Sequence, residues 1–406
     1  MINKSINNYF LVLFSAIPVS IISGSLISLV NILLIDLSFL TLIIVNKEYS
    51  FLKSKTVKYL FLLYLYLIFN SLISIDKEVG LARNLGFVRM IILFIAFNYF
   101  FIQNSFFKKV LYIWSIILFF ILFDVFFESF SGRNFLGFGG EEYGRRLVSF
   151  FKDEPIIGGY LNGFYLIVFG YLFNEINFKN KNIIVLLSIL FLAGIFLTGE
   201  RSNSIKAFLG LFLFYLAFKE YGFKKKIIFF LSTSIFFVML IVNSEFLKMR
   251  YVDQVQSYLT KNQIYFKLYK SGFEVFQNYK IFGVGNKNYR VETCKPKDLE
   301  IKNNKDYICT THPHQVYFEM LSEHGLLGSL LIFFVFYKII FSKIILVIRK
   351  NNYIQYGSLL YLIITFTPFL PSGAFFSDYM LTLFFINLSI FYASSHELNI
   401  FNKKNN

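Results

Sequence analysis

The stretch CTTHPHQVYFEMLSEHGLLGSLLIFFVFYKII runs from Cys309 to Ile340. Its head is polar and carries His312, His314 and His324, three of the four histidines in the chain. Its tail is a run of oily residues behind Gly325 and Gly328. Titratable groups giving way so abruptly to hydrocarbon side chains read as the mouth of a membrane helix. The rest of the chain has the same character. Of 406 residues, 56% are hydrophobic and 21% aromatic, and the mean hydropathy is +0.59, which excludes an ordinary soluble domain. Oily runs recur near 9–24, 26–45, 57–74, 85–102, 108–127, 156–173, 182–198, 203–218, 226–243, 315–337, 354–370 and 375–393. The expected fold is an all-α, polytopic bundle of about twelve spans, the first two joined tightly at Ser23-Gly24-Ser25. The first run, with only Lys4 ahead of it, reads as a span rather than a cleavable leader.

The formal charge of +16 is not a nucleic-acid footprint, because the lysines and arginines gather in every second short loop. NKEYSFLKSKTVK, FFKKV, FKNKN, FKEYGFKKK and the stretch Lys338 to Lys350 carry them. By the positive-inside rule these loops and both termini are cytoplasmic. The opposite face then receives SIDKEVGLAR, the stretch Glu128 to Pro155, TGERSNS, the loop 244–313, and PSGAFFSD. This divides the chain into spans one to nine (1–243), a large extramembrane loop (244–313), and spans ten to twelve with the tail (314–406). Within the loop, Val252, Val255, Leu259, Phe266, Tyr269, Phe273 and Phe276 recur at threes, fours and sevens, the spacing of an amphipathic helix on the membrane surface or the bundle. Both cysteines, Cys294 and Cys309, also fall there. On an oxidising face they read as a disulfide, worth about 3 kcal/mol in the chain-entropy view.

The opening stretch predicts a helix capped by Thr310 or Thr311, with Pro313 and His314 in its first turn. Eleven residues are three turns plus about 20°, so His314 shares a stripe with Gly325, and Gly328 lies near it. The glycines admit a close neighbour. A helix N-terminus disfavours a protonated imidazole, leaving His314 neutral as a base or acceptor. Zinc held by His312, His314 and His324 is the rival reading, and plain interfacial hydrogen bonding the bland one. In LTGERSNSIKAFLGLF, Arg201 stands where one span ends and the next begins. A half-buried arginine needs a partner; Glu200 is adjacent, and an anchoring role is the alternative to phosphate binding. IFGVGNKNYR offers Gly283 and Gly285 for a tight turn, with Arg290 after it. RRLVSFFKDEPIIGGYLNG places Arg145, Arg146, Lys152, Asp153 and Glu154 before a span. Asp36, Asp124 and Asp378 lie in or at the ends of spans, where carboxylates can relay protons, but they form no series.

HPHQVYFEMLSEHGLLG resembles the signature of the O-antigen ligase and O-antigen polymerase superfamily: a histidine, usually followed by Asn, then an apolar helix with an acid and Gly-x-x-Gly. LTGERSNSIKAFL is similar to its Thr-Gly-x-Arg-Ser block, IFGVGNKNY to its Gly-x-Gly turn, and RLVSFFKDEPIIGGYL to its Arg-x-x-Ser-Phe block. The likeness covers roughly residues 130–395. Gln315 departs from the usual Asn, and Ile205 from a Leu. Asn262 and Gln263 stand where the family often has an arginine, so Lys267 or Arg290 is left as the second cation. The resemblance implies a metal-independent, inverting glycosyl transfer without cofactor at the periplasmic face of a bacterial inner membrane. The donor it implies is a glycan on undecaprenyl pyrophosphate. The acceptor is a lipid A-core sugar in a ligase and another lipid-linked repeat in a polymerase. His314 then acts on the acceptor hydroxyl, and Arg201, with Arg290, Arg146 or Lys267, binds the pyrophosphate. A lipid-linked oligosaccharide transporter is the competing class; it needs cations spread through the membrane depth, whereas these cluster at one face.

Overall fold

The structure, a computed structural model, describes residues 4–140, 146–152, 154–175, 181–219, 221–294 and 307–402. The described residues form helices and connecting turns, with no strand among them. In chain order the helices are α1 (Lys4–Ser15), α2 (Ile17–Ile22), α3 (Ser25–Asn46), α4 (Lys55–Leu72), α5 (Lys77–Leu85), α6 (Val88–Phe101), α7 (Asn104–Ser131), α8 (Ile157–Glu175), α9 (Lys181–Leu197), α10 (Arg201–Leu216) and α11 (Phe223–Asn243). The 244–313 region contributes α12 (Glu245–Lys248), α13 (Gln254–Ser257), α14 (Ile264–Asn278) and α15 (Tyr289–Thr293). Then follow α16 (Val316–Ile339), α17 (Ile344–Ile348), α18 (Tyr353–Thr365) and α19 (Asp378–Ala393).

A helix falls in each of the twelve oily runs. Among the described residues, six segments are long and apolar enough to cross a membrane: 4–22, 25–46, 77–101, 104–131, 223–243 and 316–348. Shorter apolar helices lie at 182–197, 353–365 and 378–393. The first segment bends where Pro18, with no N–H to give, enters α2. Gly24, at φ +124°, makes the tight joint to α3. At the heart of the bundle α8 packs against α18, α10 and α19. Gly170 of α8 lies against the backbone of Tyr353 and Ile354, and Gly357 of α18 against that of Leu166. Cβ atoms there would force the helices apart.

Three expectations need correction. The periodic stripe of the long loop does not form one face of one helix. Between α12 and α14 the chain makes two π-helical stretches, Met249–Asp253 and Tyr258–Asn262, and breaks at Gln263, which has φ +45°. The wider i→i+5 turns shift the phase of the pattern. In α14 the buried face is Leu268, Ser271, Gly272 and Val275, while Val252, Val255, Leu259, Phe266 and Phe273 stay exposed. Second, α16 starts at Val316, not at Pro313. Its cap is Gln315, whose side-chain oxygen accepts from the Tyr317 N–H at 2.7 Å and the Phe318 N–H at 3.1 Å. Third, α16 is not continuous. Gly325 has φ +64° and ψ −168°, outside the helical region, so a single stripe from His314 through Gly325 does not exist.

The membrane carboxylates are mostly occupied. Asp378 binds both Arg83 and Arg89. Asp124 accepts from the Phe135 N–H and the Ser149 hydroxyl, and Glu128 from the N–H groups of Val148 and Ser149. The Arg-x-x-Ser-Phe block is therefore pinned to α7. Asp36 is buried and its carboxylate oxygens have no hydrogen-bond partner among the described residues.

Candidate active site

Two polar groupings sit at one end of the bundle, joined by the segment 369–376. The first is built on the α9–α10 turn. Arg201 opens α10, and its guanidinium donates to the Arg250 carbonyl at 3.3 Å and the Gln254 side chain at 3.4 Å. Its plane lies 4.7 Å from the centroid of Tyr258. Arg250, in the first π-helical stretch, donates to the Gly199 carbonyl at 2.9 Å and to Gln254 at 2.7 Å. Burial, with the Arg201 and Arg146 guanidiniums nearby, lowers its pKa. Arg146 donates to the Pro155 carbonyl at 2.6 Å. Glu200 is not the partner of Arg201. Its carboxylate accepts from the N–H groups of Gly158 and Gly159 and from Asn203, so it caps the start of α8. The described partners of Arg201 and Arg250 are thus carbonyls, an amide and a ring, none of which neutralises their charge. A concentration of uncompensated guanidinium charge favours an anion.

Arg201 also lines a cavity of about 580 Å³. The other walls are largely apolar and aromatic: Ile205 of α10, Leu259 of the loop, Phe266 and Tyr269 of α14, and Phe369 and Leu370. A cation at the end of an oily groove suits an amphiphile with an anionic head. Lys267 and Arg290 do not join it. Both are exposed, and neither lines the cavity. Arg145 and Asp153 lie outside the described residues. The sequence signal for Arg250 is the LKMRYVD block just after a span, twelve residues before the Asn262 position where the resemblance puts an arginine.

The second grouping is the histidine turn. His314 has φ +56°, a left-handed conformation uncommon for a residue with a side chain and most often retained at functional sites. The Ser372 N–H holds it by donating to its carbonyl at 2.9 Å. The His312 and His314 rings pack at 4.1 Å between centroids. His312 Nε2 bonds the Ser372 carbonyl at 3.2 Å. A carbonyl only accepts, so Nε2 carries the proton, and Nδ1 accepts from the Thr311 hydroxyl at 2.9 Å. Burial, then His314 and Lys287, push the His312 pKa down to about 3. Burial also lowers that of His314, whose half-buried ring carries no hydrogen bond among the described residues. His324 is elsewhere: fully buried, with Nδ1 at 3.3 Å from the Tyr66 hydroxyl and its ring against Phe376. The three histidines do not converge, and no group of three possible metal ligands occurs among the described residues.

The broken α16 and the glycine turn hold this grouping together. Around Gly325 the helix loses its own bonds and gains others. The Leu326 and Leu327 N–H groups donate to the carbonyls of Lys280 and Ile281, and the Val284 and Gly285 N–H groups donate to those of Ser322 and Glu323. A Cβ on Gly283 or Gly325 would strike the facing backbone. Gly328 faces Tyr66 of α4. So Gly283 and Gly285, read from the sequence as a tight turn, buttress the helix. Asn70 joins in, with its amide donating to the Phe282 carbonyl at 3.0 Å and its oxygen accepting from the Asn286 N–H at 2.8 Å. On α16, Glu319 accepts from the Phe375 N–H at 2.9 Å, which ties down the segment that clamps the histidines. Cys294 and Cys309 form a disulfide just before the histidine turn.

Residues 186–333 match the family described as O-antigen ligase. The match takes in Arg201, Arg250, the disulfide and His314. No curated protein matches the chain.

Proposed function

We propose, from the match of residues 186–333 to the O-antigen ligase family, that the chain transfers a glycan from undecaprenyl pyrophosphate to a sugar hydroxyl, the acceptor being lipid A-core. The observation that carries this is an apolar groove with Arg201 in one wall and residues 369–371 in another, the next residue of which, Ser372, holds the His314 carbonyl. The prenyl chain lies along the groove and the pyrophosphate at the arginines. The acceptor oxygen attacks the anomeric carbon from the face opposite the pyrophosphate. As that C–O bond forms, the bond to the phosphate oxygen breaks and its electron pair leaves with the pyrophosphate. The hydroxyl proton passes to His314. Charge developing on the leaving group meets fixed guanidinium forks, so in this reading the cations do the work a metal does elsewhere. The configuration inverts.

In this reading the protein lies in a bacterial inner membrane as twelve spans, 1–243 and 314–406, with both termini cytoplasmic and the 244–313 region on the periplasmic face beside the site. Deletion of the gene, followed by surface-glycan gels, tests it. A ligase leaves lipid A-core bare while lipid-linked glycan accumulates; a polymerase leaves single-repeat product instead. Complementation with His314→Ala should lower transfer by roughly 10²–10⁴-fold, the usual worth of a positioned acid–base group. Unimpaired transfer by that variant would refute the role given to His314.

A further inference from the structure

A second cavity, of about 340 Å³, lies where α2 and α3 meet α6 and α19. Ile21, Ile22, Leu29 and Ile32 make one side of it apolar. Ser25, Ser28 and Thr382 add hydroxyl groups, and the Arg89–Asp378 ion pair forms another wall. Asp378 also binds Arg83, yet its side chain stays 43% exposed. A carboxylate offers about four lone-pair sites, so two guanidiniums leave it free to accept from hydroxyl groups. The charges in the walls are matched, Arg89 and Lys152 against Asp378 and Glu154. In the Arg201 groove, by contrast, the guanidiniums bond carbonyls and an amide. Hydroxyls, a carboxylate and the rings of Phe151 and Tyr379 around a space with no excess of charge suit a sugar, not a pyrophosphate.

This cavity and the Arg201 groove stand back to back. Tyr379, in its wall, donates to the Ile156 carbonyl at 3.1 Å. A Cβ on Gly159 would meet both the Tyr379 hydroxyl and the Asn203 amide, and Asn203 donates to Glu200, the neighbour of Arg201, at 2.7 Å. The segment 369–378 runs from one space to the other: Phe369, Leu370 and Pro371 line the groove and Asp378 lines the second cavity. Between them Ser372 holds the His314 carbonyl and the His312 ring. The Ser377 N–H closes a turn on the Ala374 carbonyl at 3.1 Å, so Ser372 and Asp378 are at most roughly 18 Å apart. A short oligosaccharide spans that. Beside Ser25 and Ser28, the side chains of Leu26, Ile27 and Val30 are exposed on α3, a helix long and apolar enough to cross a membrane.

We propose that the second cavity seats the glycolipid acceptor. Its lipid-proximal sugar bonds Asp378 and the serines, its acyl or prenyl chains lie along the exposed face of α3, and its outer sugars reach across the 369–378 segment to present a hydroxyl to His314. The donor occupies the Arg201 groove at the same time, so the histidine hangs between the two substrates. This rests on the transfer reading above. Lipid A-core and a prenyl-linked repeat unit share the chemistry the cavity recognises, a saccharide on a lipid anchor.

The test fills the cavity and reads the two substrates separately, using the full chain in nanodiscs. Ser28 is half-buried in the wall, and Ser28→Trp should raise the KM for the acceptor about tenfold or more while the donor KM and kcat stay within about twofold. Transfer is measured to lipid A-core and, separately, to a prenyl-linked repeat unit; the one that the wild type uses names the source, and its KM should rise. An unchanged acceptor KM, or a rise in the donor KM instead, would overturn the proposal. Should Ser28→Trp fail to fold, Ser25→Trp, at an exposed position of the same wall, is read in the same way. Binding of labelled lipid A-core and labelled repeat unit to donor-free protein separates this inference from the transfer reading. If the wild type binds either one, loses it on Ser28→Trp and transfers nothing, the transfer reading falls and the cavity stands. If the wild type transfers and Ser28→Trp binds and transfers equally well, only the cavity falls.

Discussion

Gly325→Ala is the substitution with the most to lose for a single methyl group. At φ +64° and ψ −168° the backbone occupies a region open essentially to glycine, and forcing another residue there costs about 1–3 kcal/mol. The new Cβ would also meet the backbone of Ile281 and Phe282, which cannot swing aside as a side chain can. Separating the two segments breaks the pair of hydrogen bonds from Leu326 and Leu327 to Lys280 and Ile281, at about 1 kcal/mol each. The total is roughly 3–5 kcal/mol, a large share of what holds an ordinary fold together. Thermal unfolding in nanodiscs reads the stability, and glycan transfer reads the site, because the displaced segment braces α16, whose Glu319 holds the Phe375 N–H of the stretch that clamps the histidines. Gly222→Ala is the control: Gly222 has φ −63° and open space where a Cβ would go. If Gly325→Ala matched Gly222→Ala in unfolding temperature and in transfer, the broken-helix account of the site would be wrong.

Arg201→Lys and Arg250→Lys should each weaken donor binding and turnover, because an ammonium cannot replace a planar fork; Arg290→Ala should cost less than Arg250→Ala, and the reverse order in a donor-binding assay would restore the expectation drawn from sequence. Since burial lowers the His314 pKa, activity should fall off only below the ordinary imidazole value of about 6.5, as the base becomes protonated; an acid limb above that value would contradict a buried neutral base. Cys294 and Cys309 should resist alkylation in native membranes until reduced, and Cys309→Ser should lower transfer modestly by loosening the approach to His314; full alkylation without reductant would refute the pairing. Reporter fusions after Lys226 and Lys350 should signal cytoplasm and those after Asn278 periplasm; a cytoplasmic signal at Asn278 would dismantle the proposed topology.

The sequence by itself determined what depends on short-range pattern. Hydropathy located the helices, since a 16-to-24-residue oily run has few other ways to satisfy its backbone in lipid. The blocks around Arg201, Gly283 and His314 were legible because their residue types and spacing are local. Gln315 was legible only as a departure from Asn, and the structure supplies its use as the cap of α16. What tertiary structure alone decided is which side chains meet. The stripe argument for His314 and Gly325 assumed one unbroken helix, and the break at Gly325 exists because a separate segment, Lys280 to Gly285, takes over its hydrogen bonds. Two π-helical stretches rotated the loop helix out of its periodic register and brought Arg250, not Lys267, to Arg201. Arg290 and Lys287 are three residues apart, yet one is exposed and the other half-buried. Lys287 is left-handed, at φ +64°, in a turn fixed by Asn70, Asp76 and Glu323, and those contacts come from chain segments too distant for any local pattern to register.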